Sequence, residues 1–264
     1  MTAILARVRD RLADRDATDP DVTVGDSAVL VALTCGGDRV AGLAHRPPGD
    51  PPALPDSADA LASLSTDAEN RVGRAVGIAT LNALSTPDID WERGDPMATL
   101  TDEAAVVTTV GLFRPAFRKF GTATVRVIER DPPPAESVEA PPEVTVETYE
   151  PGEAAAAMAG ADVCFVTGSV LLYGGFGAYL DAAAEATVSP VVLIGSTASH
   201  LPAPAFDAGV DVVAGARVTD IEAVREGVRA GDCGTDLHDA GVEKVYVTAE
   251  HGLTDDDTRT EIQP

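Results

Sequence analysis

The chain has 264 residues, with 43 acidic against 19 basic side chains and a formal net charge of −24. A coat this acidic argues against a nucleic-acid or anionic-membrane partner, since both need a basic face. Hydrophobic residues make up 45% but aromatics only 4%, so a substantial core is available and Ala, Val and Leu must fill most of it.

The first element is an amphipathic helix with Ile4, Leu5, Val8 and Leu12 at helical spacing. Asp21–Val24 and Ala28–Thr34 are strand-like, and Arg39–His45 closes a hairpin around Gly36-Gly37. The Pro-rich run Arg46–Pro52 forbids regular structure. Two helices follow, Asp56–Leu64 and Asp67–Leu84, with Thr66 or Asp67 placed to cap the second. Residues 1–100 therefore read as a small α+β domain, with the boundary near Gly94-Asp95-Pro96.

From Asp102 the pattern becomes β/α alternation. Val106–Val110 is a β-branched strand that stops at Gly111, Leu112-Phe113-Arg114-Pro115 and then a short helical segment to Phe120 follow, and Thr124–Ile128 is a second strand ending in Glu129-Arg130-Asp131. Further strands are expected at Val144–Val146, Val163–Val166, Val191–Ile194, Val210–Val213 and Lys244–Val247. Helices are expected at Glu153–Met158, Gly177–Ala186, Ala203–Asp207 and Asp220–Arg229. Repeated β/α units with short connections predict a mostly parallel, Rossmann-like sheet with helices on both faces over residues 101–250, and residues 251–264 read as an acidic tail.

Parallel strands present their carboxyl ends on one side, where ligands of open α/β sheets bind. Gly111, Glu129, Thr167-Gly168-Ser169, Gly195-Ser196-Thr197 and Ala214-Gly215 all follow expected strands and are expected along that edge. Glycine lets the backbone approach a ligand, and Ser/Thr hydroxyls with helix amides can hold a polar group. Glu129 and Asp131 are the acid–base candidates, and Arg114 or Arg130 would fix an anion.

Other chemistries leave weaker traces. Gly175-Phe176-Gly177 lacks the third glycine of a dinucleotide fingerprint, because position 180 is Leu180, so NAD is not expected. No GxxxxGK[ST], HExxH or GxSxG run is present, and no nucleophile–base pair stands out. Cys35, Cys164 and Cys233 form no CxxC pair, and Cys164 reads as a small core residue. Cys233 and His238 stand among three aspartates, but with no second Cys/His pair the segment reads as a polar loop. His45, His200, His238 and His251 read as surface loop residues.

No apolar run approaches the roughly 20 residues that span a bilayer. Met1–Arg7 shows no signal-peptide pattern, so a cytoplasmic location is expected. Only Lys119 and Lys244 are lysines, and a carboxylate-rich, lysine-poor surface predicts adaptation to an extreme halophile's cytoplasm. Oligomeric state is not set by the sequence, and a homo-oligomer stays open.

Ala75–Ala83 resembles the GxAxxNA helix of a prokaryotic family described as "putative heavy-metal chelation". Val110–Pro115, Glu129–Pro132, Asp162–Ser169 and Val191–Thr197 resemble its remaining blocks in the same order. The resemblance covers about residues 1–250. It implies an enolase-N-terminal-like domain joined to a Rossmann-like domain, with a site in the cleft between them. Carried over by position, that site takes Asn82 from the helix and Gly111, Phe113, Arg114, Pro115, Glu129, Arg130 and Asp131 from the first βαβ unit. Thr167, Gly168, Ser169, Gly195 and Thr197 come from the later strand ends. Two departures stand out: Tyr173-Gly174-Gly175 replaces a usual Asn-x-Thr, and Ser196 replaces a usual Pro. The resemblance implies binding of a small polar ligand or metal chelate in heavy-metal handling, with no resident cofactor identified. The alternative is an enzyme acting on a small anionic metabolite.

Overall fold

The computed structural model describes residues 2–97, 104–113, 117, 119 and 123–249. Helix α1 (Thr2–Leu12) leads into an antiparallel three-stranded sheet of β1 (Ala17–Val24), β2 (Ala28–Cys35) and β3 (Asp38–His45). Gly36 and Gly37, both at positive φ, turn β2 into β3 with Cys35 opposite Asp38. Two helices follow, α2 (Ala58–Ser63) and α3 (Arg71–Ser85).

Helix α3 begins later than its apolar spacing suggests, and the reason is local. The Asp67 carboxylate accepts the amides of Glu69 and Asn70, which holds those residues in a turn. Asn70 then caps the helix, accepting the Gly73 amide at 2.8 Å.

Beyond α3 the chain enters an eight-stranded sheet of order β4-β11-β10-β9-β8-β5-β6-β7. The strands are β4 (Glu92–Arg93), β5 (Val106–Val110), β6 (Thr124–Ile128), β7 (Thr145–Tyr149), β8 (Val163–Thr167), β9 (Val191–Ile194), β10 (Val212–Val218) and β11 (Val242–Thr248). Strands β5 to β10 run parallel, and β11 and β4 extend the sheet antiparallel. Among the described residues the connecting helices are α4 (Ala154–Met158), α5 (Val170–Tyr173), α6 (Phe176–Glu185), α7 (Ala203–Phe206), α8 (Ile221–Ala230) and α9 (Thr235–Asp239). The short helix expected after Pro115 and ending at Phe120 falls mostly outside the described residues, and the acidic tail lies outside them. No helix among the described residues is long and apolar enough to cross a membrane.

Alternation along the strands builds a core on each face of the large sheet. Val107, Val125, Phe165 and Val192 point to one side, while Val110, Cys164, Val166 and Leu193 point to the other. The second set is continuous with Leu5, Val31, Leu61 and Ile78, so one core joins the large sheet to α1, α3 and the small sheet. The opposite face of β2, with Leu30 and Ala32, packs on Val224 and Val228 of α8. The small sheet is thus held between α3 and a helix contributed by the far end of the chain.

The join near residue 95 is pinned electrostatically. Lys119 and Lys244, the two lysines of the chain, both bond the Asp95 carboxylate, Lys244 at 2.8 Å. Burial raises the Asp95 pKa, but the hydrogen bonds from both lysines outweigh it and hold the carboxyl below its ordinary value.

Candidate ligand-binding site

Strand order in the parallel part is β7-β6-β5-β8-β9-β10, so the chain reverses its direction of travel between β5 and β8. In sheets of this kind the carboxyl ends at the reversal form the ligand crevice. Gly111 ends β5 there with φ +94, a backbone state that L side chains rarely adopt, and a Cβ at this position would overlap the Thr167 hydroxyl from β8. Gly195, at φ +118, makes the corresponding turn after β9.

Helix α3 lies across this edge. Its Asn82 Nδ2 donates to Leu43 O at 2.7 Å and to Ser196 O at 3.0 Å, tying β3, α3 and the turn after β9 together. Thr197 Oγ1 accepts the His45 amide at 2.9 Å. Gly42 meets the backbone of Ala79 and Ala83, and Gly77 meets that of Ser65, so neither position has room for a side chain. Within the Gly77–Ala83 block, the glycine permits close packing and the asparagine supplies a stitch. Ser196 takes part through its carbonyl, which also accepts the Ser199 hydroxyl at 2.9 Å.

At β8, Thr167 Oγ1 donates to Val110 O at 2.9 Å and lies 2.8 Å from Ser169 Oγ. Gly168 packs against Thr197, with only 3.0 Å between a built Cβ and the Thr197 Cβ. Glu129 accepts the Leu112 amide at 3.0 Å and the Arg130 amide at 3.1 Å, one on each carboxylate oxygen. Its carboxylate therefore fixes the loops after β5 and β6.

The remaining end of the edge is aromatic and basic. The Arg130 guanidinium carbon stands 3.6 Å from the Tyr173 ring centroid and that of Arg71 stands 5.4 Å from it. Arg74, one turn along α3 from Arg71, donates to Leu172 O at 2.9 Å and to Asp67 O. Burial holds the Tyr179 phenol above its ordinary pKa, with Glu129 adding to the effect and Arg130 opposing it, so it remains a neutral hydroxyl.

The edge thus brings together Asn82, Gly111, Glu129, Arg130, Thr167, Gly168, Ser169, Gly195 and Thr197. Phe113 is half-buried against the core on the other face of the sheet, and Asp131 is exposed beyond β6. Arg114 and Pro115 lie outside the described residues. Arg71 and Tyr179 belong to the same edge but carried no sequence signal.

His200 differs from its sequence reading. It is fully buried, Nδ1 lies 3.1 Å from Leu201 O, and Nε2 has no partner. Burial pushes its imidazole below the ordinary value.

The donors among the described residues do not fit a bare metal ion. Among the described residues no three His, Cys, Asp or Glu side chains converge as a metal cluster. Cys164 is buried and its thiol is pushed up to about 12 by desolvation. Cys233 is exposed, and His238 Nδ1 lies 2.7 Å from Val242 O.

This combination defines a Rossmann-like protein with an N-terminal antiparallel sheet packed beside the switch-point edge. The DUF364 family, described as "Putative heavy-metal chelation", matches residues 95–247, more than half the chain, and the chain belongs to that family. Two solved structures share its fold. A protein of unknown function from the same family in Pyrococcus horikoshii aligns with a TM-score of 0.74 at 20% identity, over 93% of this chain and 100% of its own. A family protein of unknown function from Desulfitobacterium hafniense DCB-2 aligns with a TM-score of 0.69 at 14% identity, over 94% and 100%. At these identities the likeness shows the fold alone. No functionally curated protein matches the chain.

Proposed function

We propose that the protein binds a small polar organic molecule or metal chelate in the crevice between α3 and the carboxyl ends of β5, β6 and β8, in a heavy-metal-handling role. In this reading residues 1–100 form the small domain and 101–250 the Rossmann-like domain, with β4 crossing to brace the larger sheet. The observation that carries the reading is the reversal between β5 and β8. There Gly111, the Thr167–Ser169 hydroxyl pair, neutral Tyr179 and the Arg130 guanidinium meet under a helix of the small domain. Since the chain's described donors do not form a metal cluster, a metal would arrive held by the ligand's own donors. Glu129 spends both oxygens on backbone amides, which supports binding over acid–base work by that residue.

Two measurements test this. Native mass spectrometry of the purified protein should show a bound small molecule, and the combined Thr167→Val, Ser169→Ala variant should lose it while keeping its fold. Retention of the same molecule at full occupancy by that variant would move the site elsewhere. The acidic coat supports a second part of the reading, that the protein works in concentrated salt. Unscreened repulsion reaches about 30 Å at 0.01 M ionic strength, so its melting temperature should climb from dilute buffer to molar KCl. An unchanged midpoint would sink the halophilic reading.

A further inference from the structure

We infer that Arg71 and Arg130, set about the Tyr173 ring, form a subsite for an oxyanion group of the ligand, a carboxylate or a phosphate. The inference rests on the proposed crevice and names the chemistry of one end of it.

Two unlike segments supply the pair. Arg71 opens α3, and Arg130 follows β6. Both guanidinium carbons approach one ring, at 5.4 and 3.6 Å from its centroid, so their separation cannot exceed the sum of those distances. Both arginines are exposed, and no carboxylate among the described residues reaches either of them. In this chain of 43 acidic residues, Arg7, Arg15, Arg93, Arg126, Arg217 and Arg225 each reach a carboxylate. Among the described residues Arg71 and Arg130 pair with none. Glu129, the immediate neighbour of Arg130, is held by amides on both oxygens. Arg74 feels both Arg71 and Asp67: burial lowers its pKa, the Asp67 carboxylate raises it and Arg71 lowers it further.

Stacking explains what the arrangement can do. A guanidinium lying over a phenol ring uses its face, while its N–H donors project in its own plane. That plane is the one in which a carboxylate or phosphate is gripped by two parallel hydrogen bonds. The ring can therefore orient Arg130, 3.6 Å above it, without consuming its donors, while Arg71 stands further off at 5.4 Å. Arg71 also sits at the first turn of α3, where the helix dipole favours negative charge. Directed bidentate bonds of this kind keep their geometry where concentrated salt screens simple attraction.

Citrate and inorganic pyrophosphate are suitable probes, titrated calorimetrically into the full chain at constant molar KCl. Binding of either supports the subsite, and which one binds separates a carboxylate-bearing ligand from a phosphorylated one. Arg71→Gln and Arg130→Gln should each weaken the bound probe at least tenfold, and Arg130→Lys, which keeps the charge but not the planar fork, should recover only part. Arg229→Gln, an equal charge removed from the exposed side of α8, should change nothing. Melting temperatures should be shared by all variants. Wild-type affinity in the Arg71 and Arg130 variants, an equal loss in Arg229→Gln, or no binding of either probe would overturn the inference. If Thr167→Val with Ser169→Ala weakens the probe and the arginine variants do not, the crevice stands and the oxyanion subsite falls. If only the arginine variants weaken it, the subsite stands and the strand-end reading falls.

Discussion

The two ends of the carboxyl edge are built from similar residue types and behave oppositely. Over β9, the donors and the threonine are consumed internally: Asn82 Nδ2 donates to two carbonyls and Thr197 accepts an amide, while the buried Asn82 Oδ1 has no partner among the described residues. Over β5, β6 and β8, the Glu129 carboxylate is consumed in the same way, but Arg71 and Arg130 stand about an aromatic ring and have no ion-pair partner among the described residues. Residue type therefore does not separate a ligand handle from a brace. The partner does. One end of the edge holds the two halves of the molecule together, and the other offers charge.

The largest effects should come from two tightly packed positions, Gly111 at the end of β5 and Asn82 in the braced end over β9. Gly111→Val combines an unfavourable positive φ with overlap of the Thr167 hydroxyl, and should cost about 3 kcal/mol or more in denaturant unfolding at fixed KCl. Asn82→Ala should cost roughly 2–3 kcal/mol, because the Leu43 and Ser196 carbonyls lose a buried donor. A loss below about 0.5 kcal/mol for Asn82→Ala would show that the stitch is dispensable.

A smaller effect is expected from His200, which lies just beyond the braced end. Its folded pKa is depressed below 6.5 by burial, so the unfolded chain takes up a proton first as pH falls. Stability should therefore decline as pH drops through 6.5, by up to about 1.4 kcal/mol per pH unit, and level off below the folded value. His200→Leu should flatten that segment of the stability–pH curve; an identical slope in the variant would reassign it to other groups. The smallest effect belongs to the open end, where Arg71→Gln and Arg130→Gln should leave stability within about 0.5 kcal/mol. A larger loss would mean that the pair is a brace after all.

Much of this architecture is legible in the residues themselves. The β-branched runs from Val106 to Val213 mark strands buried on both faces, and glycines after them mark the edge, because strand period and turn chemistry are local properties. The helix start at Arg71 was misjudged because Asp67 spends its carboxylate on a turn, a choice between two nearby acceptors that spacing does not resolve. Asn82 stands in a recognisable block, yet whether its amide faces a ligand or Ser196 O depends on a partner more than a hundred residues away. Arg71 was invisible for the same reason, since nothing around it announces Tyr173. His200 reads as a loop residue because its complete burial is set by the folded chain and leaves no mark on its sequence neighbours.

The most direct test is a crystal structure of the protein soaked with citrate or pyrophosphate in molar KCl. The account predicts ordered probe density at the carboxyl ends of β5, β6 and β8, with its oxygens within hydrogen-bond distance of the Arg71 and Arg130 guanidinium groups beside Tyr173. Density confined to another surface, or both guanidinium groups turned onto carboxylates of the protein, would contradict it.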